Sequence, residues 1–193
     1  MAVGTYALCS YNDVKSYGGK TGITDADKTL VEDLIDMKTA EMETYIEREV
    51  MSRERTEYLD GKGARQLYTE QYPITTVSGI WDDFEWTWGS DTLVASADYR
   101  IHEDGRSVVR KLSAARFLDN AQNIKIIYTA GYASIPEDLK ITCAREVLKE
   151  YKLRKKPDII SETAIDGSIT RVAIDWLESS KQVLDKYKKR RVF

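Results

Sequence analysis

The side chains that most often carry out acid–base or nucleophilic chemistry are scarce in this sequence. His102 is the single histidine, so any general base, Ser/His or Cys/His scheme would have to use it. It follows Ile101 in a predicted strand, whereas Cys143 lies on a predicted helix after that region. One histidine and two cysteines are also too few ligands for the usual tetrahedral zinc site. We therefore interpret His102 as an ordinary strand residue.

Acidic and glycine-rich motifs offer no better candidate for chemistry. Asp25-Ala26-Asp27 resembles the start of a calcium loop but lacks the turn glycine, and we interpret it as a helix cap. The cluster Asp82-Asp83-Phe84-Glu85 has ligands for a hard cation, although a charged hairpin tip is the preferred interpretation. Gly61-Lys62-Gly63 lacks the spacing of the phosphate-binding glycine motifs. The sequence thus predicts no catalytic residues, no metal site, no cofactor and no enzyme activity.

Charge is distributed unevenly along the chain. The formal net charge is −3, yet residues 25–49 contain nine acidic and three basic residues. Residues 182–193 contain five basic residues and one acidic residue. This asymmetry indicates a partner that recognises charge, including a second copy of the chain, although a solvated terminus is the simpler alternative. So few cations in an acidic chain argue against a dedicated duplex-binding protein.

The C-terminal segment is the candidate binding site. Its cations are followed by an apolar end, which is typical of a segment that docks into a protein groove while charge steers its approach. The residues of this site are Lys186, Lys188, Lys189, Arg190, Arg191, Val192 and Phe193.

Length and composition set the class of protein. A chain of 193 residues with 42% hydrophobic residues can form one medium domain or two small ones. We find no apolar run long enough for a membrane helix and no signal-peptide pattern near the start. Cys9 and Cys143 are far apart in sequence, and a chain of this size does not demand a disulfide. We expect a soluble globular protein made in the cytosol.

Helical patterns occupy both ends of the chain. Ser10 and Asp13 form a capping box for a short helix that Gly18-Gly19 ends. Thr24 and Asp27 cap a long amphipathic helix that reaches about Val50. The pattern returns at Pro136, a favourable first helical position, and stops at Lys155-Lys156-Pro157. An irregular link over 161–170 and a last amphipathic helix from Val172 to Tyr187 complete the chain.

Between these helices the pattern changes to short alternating strands. Six or seven strands in about 80 residues, with a turn at Asp60–Gly63 and a hairpin at Asp104-Gly105, indicate a small antiparallel sandwich or barrel. The strand candidates lie at 53–59, 64–68, 77–81, 86–88, 99–102, 107–110 and 123–128. The predicted inward residues are Tyr99, Ile101, Val109, Ile124, Ile126 and Tyr128, with Trp81, Trp86 or Trp88 against them.

The predicted fold class is α+β, a helical bundle with an inserted small antiparallel β domain. We expect residues 1–51 and 133–193 to form the helical domain and residues 52–132 to form the inserted domain. The β domain is expected to fold as a separate unit with its own aromatic core.

The joint order of several motifs is similar to that of a known protein family. The motifs are Ser10–Lys15, the acidic helix ending at Tyr45-Ile46, Gln71–Val77, Ile127–Tyr132 before Ile135–Leu139, Ser161–Ile169, and Val183–Tyr187. Together they resemble the head–tail connector, or adaptor, proteins of long-tailed bacteriophages. The chain differs from the smallest members by its large β segment, and the glycine of its serine-glutamate motif is shifted behind Asp166.

The resemblance implies a structural virion protein of the neck, assembled in the host cytoplasm, with no enzyme activity and no cofactor. Such proteins form a homo-oligomeric ring, commonly of twelve copies, beneath the portal protein. They complete the head after DNA packaging and seat a stopper or tail-completion protein, while the genome passes through the channel without sequence-specific binding. A head-closure or tail-completion protein of the same neck is the first alternative, and a nucleic-acid-binding module is the second.

A ring also requires two complementary faces on each subunit. Head-to-tail assembly brings one face of a subunit against a different face of its neighbour. The acidic helix of residues 25–49 and the basic end of the next long helix, Arg145–Lys156, are the candidate faces.

Overall fold

The computed structural model describes residues 4–19, 22–155 and 178–189. The chain divides into two compact units. One is built from residues 1–48 and 135–193, and the other from residues 49–134. The described α-helices lie in the first unit and the described strands in the second. Within this part of the chain, no helix has the length and apolar character needed to cross a bilayer.

The first unit contains four described helices, and local caps set the start of the early ones. α1 (Tyr11–Gly18) begins after Ser10, whose backbone N–H donates to Asp13 Oδ2 at 2.7 Å while the Asp13 N–H donates back to Ser10 Oγ at 3.2 Å. This is the predicted capping box. Gly19 then takes φ 53°, a left-handed conformation that glycine adopts without steric cost. The remaining helices are α2 (Lys28–Ile46), α3 (Glu137–Lys155) and α4 (Glu178–Tyr187).

The predicted cap of the long acidic helix is also present, but the helix is shorter than expected. Thr24 and Asp27 form a capping box around a single 3-10 turn, Asp25–Asp27, which leads into α2. α2 ends at Ile46 because Glu47 adopts a left-handed φ of 58°. Val50 is still buried, but it belongs to the second unit.

Buried apolar side chains occur in each of these helices. α2 packs against α3 and α4, and α1 packs against α2 and α3. The fully or nearly fully buried side chains of these helices include Val14, Val31, Leu34, Ile35, Met42, Ile46, Leu139, Cys143, Val147, Leu148, Tyr151 and Leu184. The predicted link over 161–170 and the start of the predicted last helix lie outside the described residues.

The second unit contains two antiparallel sheets of three strands each, so the predicted α+β class is confirmed. The first sheet has the order β1-β6-β3, with β6 in the centre, and the second has the order β2-β5-β4. Neither sheet of described strands closes into a barrel. Their bounds are β1 Arg53–Lys62, β2 Gln66–Tyr68, β3 Ile74–Asp82, β4 Tyr99–Ile101, β5 Ser107–Arg110 and β6 Asp119–Ala130.

Residues from both sheets share one core. Ile124, Ile126 and Tyr128 are fully buried as predicted, and Tyr99 and Ile101 pack against the cluster while remaining partly exposed. The prediction for Val109 is wrong by one position, because Val108 is the buried valine of β5. Other members of the cluster are Leu67, Ile74, Ile80, Val94, Phe117 and Ala130.

None of the three tryptophans in this unit belongs to the core cluster, although Trp81, Trp86 or Trp88 was expected to pack against its inward residues. Trp81 and Trp88 are half-buried outside this cluster, and Trp86 is 57% exposed. The ammonium of Lys125, which pairs with both Tyr58 and Trp81 across the sheet, lies 4.9 Å from the Trp81 ring centre. The Trp88 ring lies 5.5 Å from Tyr58. These aromatic rings therefore pack around a cation at a partly exposed surface.

Two predicted local features are also corrected. The alternating segment 86–88 is not a strand, because Trp86 and Trp88 take left-handed φ values of 57° and 54° in a loop. The predicted turn at 60–63 begins later, because β1 continues through Gly61 to Lys62. A Cβ at position 61 would overlap the carbonyl oxygen of Leu118, so only glycine allows the strand to pass there.

Candidate functional site

The structure describes the first part of the predicted C-terminal binding segment. Lys186 lies in the last turn of α4, and Lys188 and Lys189 follow the helix. Lys186 and Lys188 are exposed and Lys189 is half-exposed. The remaining residues of the predicted site, Arg190, Arg191, Val192 and Phe193, lie outside the described residues.

α4 is held on the helical unit by a buried apolar contact and a buried polar one. The Leu184 side chain is completely buried. Ser180 is also buried, and its hydroxyl donates to Glu146 Oε1 on α3 at 2.5 Å. At the edge of this contact, Arg145 donates to the Ser179 hydroxyl at 2.8 Å. The helix that carries the basic segment is therefore fixed to α3 through side chains on one face.

Tyr187 fixes the end of α4 to two other parts of the unit. Its hydroxyl donates to Asp138 Oδ1 at 2.7 Å, in the first turn of α3. The guanidinium of Arg48, which is nearly fully buried, lies 6.0 Å from the Tyr187 ring centre. A cation at this distance from an aromatic face is attracted by the ring quadrupole. The last residue of α4 therefore contacts both the start of α3 and the residue Arg48 that follows α2.

The end of α4 and the residues after it contact the C-terminal end of α2. The Tyr45 hydroxyl donates to Asp185 Oδ1 at 2.9 Å, and this bond to a carboxylate raises the pKa of Tyr45. Lys188 Nζ lies 4.7 Å from the centre of the same ring. The backbone N–H of Lys189 donates to the Ile46 carbonyl at 2.8 Å, which satisfies one of the free carbonyls at the end of α2. We call this set of contacts the tail anchor.

The sequence did not identify the tail anchor. In the sequence, Tyr45 fits the apolar face of the long amphipathic helix, and Arg48 is one of the three basic residues of the acidic segment. The only sequence signal is an aromatic residue at the end of each of two amphipathic helices, Tyr45 on α2 and Tyr187 on α4. That signal is equally typical of core packing, so it does not single out the contact.

Two charged surfaces, on α2 and on the end of α3, are expected to meet in a ring. Some of their charged side chains already form ion pairs within one subunit. On α2, Lys38 lies 2.9 Å from Glu41 and 3.9 Å from Glu150 of α3. Glu150 also accepts from Arg154 at 3.2 Å. Other charged side chains of the two helices stay exposed, including Asp33, Asp36 and Glu47 near or on α2 and Lys152 on α3.

The residues considered for chemistry are not assembled into a catalytic group. His102 follows β4 rather than lying mid-strand, and its Nδ1 is 3.0 Å from Asp104 Oδ1 in the hairpin turn. It belongs to the strand-rich unit, whereas Cys143 belongs to the helical one. The structure brings Cys143 next to Cys9, with the two sulfur atoms 3.3 Å apart. In the ranges that the structure describes, no cluster of three His, Cys, Asp or Glu side chains is placed to hold a metal.

The Asp82–Glu85 cluster does not form a charged hairpin tip. Its aspartates instead stabilise the loop that follows β3. Asp82 ends β3 and lies 3.4 Å from Arg110 Nη1. Asp83 is buried and accepts from the backbone N–H groups of Glu85, Thr87 and Trp88. Both carboxylates therefore have partners within the fold.

Comparison with known proteins identifies the family. The family model described as head completion protein matches residues 7–187, nearly the whole chain. The chain belongs to the head completion protein family. Among curated proteins, none matches the sequence significantly.

Solved structures show where else this fold occurs. A chain in the neck of an empty gene transfer agent particle, computed with C6 symmetry, is 20% identical with a TM-score of 0.63, over 100% of this chain and 95% of that one. A chain from the native neck, computed with C12 symmetry, is 20% identical with a TM-score of 0.58, over 100% and 94%. A chain from the virion of the native particle is 19% identical with a TM-score of 0.62, over 100% and 95%.

Family membership confirms the class of function that the sequence resemblance implied. As a member of this family, the chain has a structural role in head completion. Its similarity to the gene transfer agent chains extends over the full length of the protein, including the strand-rich unit that distinguished it from the smallest connectors.

Proposed function

We propose that this head completion protein forms a homo-oligomeric ring in the neck and binds the portal protein through its C-terminal segment. The ring is non-enzymatic, needs no cofactor, and seats a stopper or tail-completion protein on its other side. Family membership supports the head-completion role, and the symmetry of the gene transfer agent necks, C6 and C12, supports a ring. Twelve copies is the number we propose, since the native neck was computed with C12 symmetry.

The tail anchor is the observation that supports the proposed portal contact. Lys189 is bound through its backbone to Ile46, and Lys188 lies over the Tyr45 ring, so the segment leaves the helical unit at a fixed point. A fixed exit point lowers the conformational entropy that the following residues lose when they dock. Four residues remain beyond this point, with two cations followed by Val192-Phe193.

The chemistry of these four residues fits a protein groove with an acidic edge. Burying one phenylalanine side chain contributes about 1.5–3 kcal/mol, and a ring repeats that contribution in every copy. Arg190 and Arg191 would meet carboxylates at the groove, and their charge would steer the approach. A phenylalanine side chain has no role in solubility, which favours a protein groove over the DNA in the channel.

The test is binding to purified portal from the same particle at matched salt. The truncated chain must keep the tail anchor. Removing residues 186–193 would also remove Tyr187 and Lys189, whose contacts stabilise the helical unit. A chain ending at Lys189 keeps the anchor and loses only the proposed docking residues. We expect this truncated chain to remain folded and to lose portal binding. Phe193→Ala should weaken binding about tenfold or more, as expected for one buried aromatic group.

A matched control separates docking from a general loss of charge. Lys62→Glu with Lys111→Glu makes the same change in net charge as Arg190→Glu with Arg191→Glu, but at exposed positions of the strand-rich unit. We expect only the C-terminal pair to abolish binding. Equal binding by the full chain and the chain ending at Lys189 would remove the segment from the mechanism. A different result would assign the segment to nucleic acid: binding that depends on the arginines but not on Phe193, together with the same dependence when duplex DNA replaces the portal.

A further inference from the structure

The two cysteines of the chain are buried together in the helical unit. Cys9 immediately precedes the N-cap of α1, and Cys143 lies in the middle of α3. Their sulfur atoms are 3.3 Å apart, and the residues are only 4% and 0% exposed. Both are free thiols. The only two cysteines in a sequence of 193 residues are therefore in direct contact, although 134 positions separate them.

We propose that Cys9 and Cys143 form a modification site at which hydrogen peroxide produces an intramolecular disulfide. A disulfide has a sulfur–sulfur length of about 2.05 Å, so the atoms must approach by roughly 1 Å. Side-chain rotation and small shifts of the segment before α1 can supply such a movement. This inference concerns the helical unit by itself and does not depend on the proposed portal contact.

The contact also indicates which sulfur reacts first. The Cys9 thiol donates its hydrogen bond to Cys143 Sγ, and this bond together with burial raises the pKa of Cys9. Cys9 is therefore less readily deprotonated than an ordinary thiol, and the deprotonated form is the one that reacts. Cys143 is the nucleophile toward the peroxide in this scheme, and Cys9 is the residue that completes the disulfide. Hydrogen peroxide is small enough to reach a buried thiol during brief local opening.

The chemistry balances with peroxide as the oxidant. The Cys143 sulfur attacks one peroxide oxygen, the O–O bond breaks, and hydroxide leaves and takes up the thiol proton to give water and a sulfenic acid. The Cys9 sulfur then attacks the sulfenic sulfur, the S–O bond breaks, and a second water leaves. In total, two thiols and one hydrogen peroxide give one disulfide and two waters, with the sulfur atoms oxidised and the peroxide reduced.

The disulfide would connect the segment before α1 to α3 covalently. That segment already contacts α2, since the Leu8 N–H donates to Thr39 Oγ1 at 3.1 Å and the Gly4 N–H donates to Asp36 Oδ1 at 2.9 Å. A link that closes so long a loop restricts the unfolded chain and raises the melting temperature. A virion that leaves a reducing cytoplasm for an oxidising medium would thereby gain stability after assembly.

The experiment uses the full chain, fully reduced and then treated with hydrogen peroxide at a few equivalents. We expect the intact mass to fall by two hydrogens, and both thiols to resist alkylation after denaturation in the absence of reductant. Peptide mapping should recover the Cys9 peptide joined to the Cys143 peptide. The melting temperature should rise by about 5–10 °C, and dithiothreitol should reverse the rise.

Single variants provide the control. Cys9→Ala and Cys143→Ala should show no rise in melting temperature with peroxide, and Cys9→Ala should accumulate a sulfenic acid that a dimedone probe traps on Cys143. The mass and mapping of the wild-type chain test the proposal even if a variant folds poorly. The proposal is wrong if the thiols remain free at a peroxide dose that oxidises them in the urea-unfolded chain. It is also wrong if the disulfide joins two copies rather than the two positions of one chain.

Discussion

Asp83 is a single carboxylate that organises the loop after β3. It accepts from the backbone N–H groups of Glu85 and Thr87 at 2.9 Å and of Trp88 at 2.8 Å, and from the Thr87 hydroxyl at 2.8 Å. These bonds hold Trp86 and Trp88 in the left-handed region, which costs roughly 1–2 kcal/mol for a side chain with a Cβ. The carboxylate therefore stabilises a backbone shape that these residues would not adopt alone.

The loop should consequently depend on pH. Burial by itself would raise the pKa of Asp83, but the hydrogen bonds from Thr87, Glu85 and Trp88 outweigh it, so the pKa lies below its ordinary value of 3.8. A carboxyl whose pKa is lowered on folding contributes stability above the ordinary value, and that contribution is lost as pH falls through the lowered one. We expect the near-ultraviolet circular dichroism of the tryptophans to change below about pH 4.

Two variants test this assignment. Asp83→Asn should give the acid-type tryptophan spectrum already at neutral pH, because an amide cannot accept all of the bonds that the carboxylate accepts. Glu85→Gln, at an exposed neighbouring side chain, should keep the wild-type spectrum and its acid transition. Identical acid transitions in the wild type and Asp83→Asn would show that another carboxyl controls the loop.

His102 is predicted to have no catalytic part. Its side chain is 41% exposed and lies beside Asp104 in the turn between β4 and β5. His102→Ala should change the free energy of unfolding by no more than about 0.5 kcal/mol, as expected for a surface substitution, and should leave particle assembly unchanged. Urea denaturation and counts of tailed particles measure the two effects. Loss of a defined turnover in a folded variant would overturn the non-enzymatic function.

At the scale of single elements, the sequence predicted best where a local signal sets the structure. The capping boxes of Ser10 with Asp13 and of Thr24 with Asp27 both form, and α3 begins immediately after Pro136. These signals depend on residues within one turn of each other, so they survive whatever packs around them. The same holds for the Gly105 hairpin, where residue 105 takes φ 64°.

The sequence-based predictions are wrong mainly where contacts between residues distant in the sequence determine the structure. The end of β1 depends on Gly61 lying against Leu118, which is distant in sequence and whose carbonyl would overlap any side chain. The segment Trp86-Thr87-Trp88 is a different case, because its determinant is local: the alternation is the pattern of a strand, but four hydrogen bonds to the nearby Asp83 impose a loop. The tail anchor and the cysteine contact, in contrast, join residues more than a hundred positions apart. The hydrophobic periodicity of a short stretch of sequence contains no information about such long-range contacts.

The register of β5 provides a matched pair of substitutions. Val108 is fully buried, and its neighbour Val109 is only half-buried. Val108→Ala should lower the free energy of unfolding by about 2–3 kcal/mol through lost burial and a cavity, whereas Val109→Ala should cost less than about 1 kcal/mol. Urea denaturation of the two variants measures the difference. A larger loss at Val109 would mean that the strand is shifted by one residue.

The strand-rich unit remains a proposed independent domain. Its core cluster contains residues from 67 to 130 only, all within the unit. A protein consisting of residues 49–134 should therefore unfold cooperatively and give dispersed amide resonances. The isolated helical segments 1–48 and 135–193, expressed separately, provide the contrast, because neither contains the other half of its core. A fragment 49–134 that stays unfolded in dilute buffer would argue against an independent domain.

At the scale of the whole molecule, assembly is predicted to depend on charge. If the exposed acids of α2 meet the basic end of α3 in a neighbouring copy, Asp33→Lys and Lys152→Glu should each reduce ring formation on portal-bearing heads. The two changes together should restore part of it, because the attraction is reversed on both faces. Glu103→Lys, at an exposed turn of the strand-rich unit, is the control for net charge. Negative-stain images count the rings.

Salt provides an independent measure of the same interface. Attraction between exposed charges weakens as ionic strength rises, since the Debye length falls to about 3 Å at 1 M. Ring formation by the wild type should therefore decline between about 0.1 and 1 M salt, and the double variant should show the same decline. Rings that are insensitive to both single reversals and to salt would locate the interface elsewhere.

The strand order β1-β6-β3 also determines when the protein can fold during its synthesis. The central strand begins at Asp119, after both of its neighbours, so β1 and β3 have no partner in their sheet while the ribosome translates residues 83–118. α3, against which α1 and α2 pack, emerges later still. Nascent chains released before residue 119 should thus be digested by protease throughout, and protection should appear abruptly once β6 and α3 have left the exit tunnel.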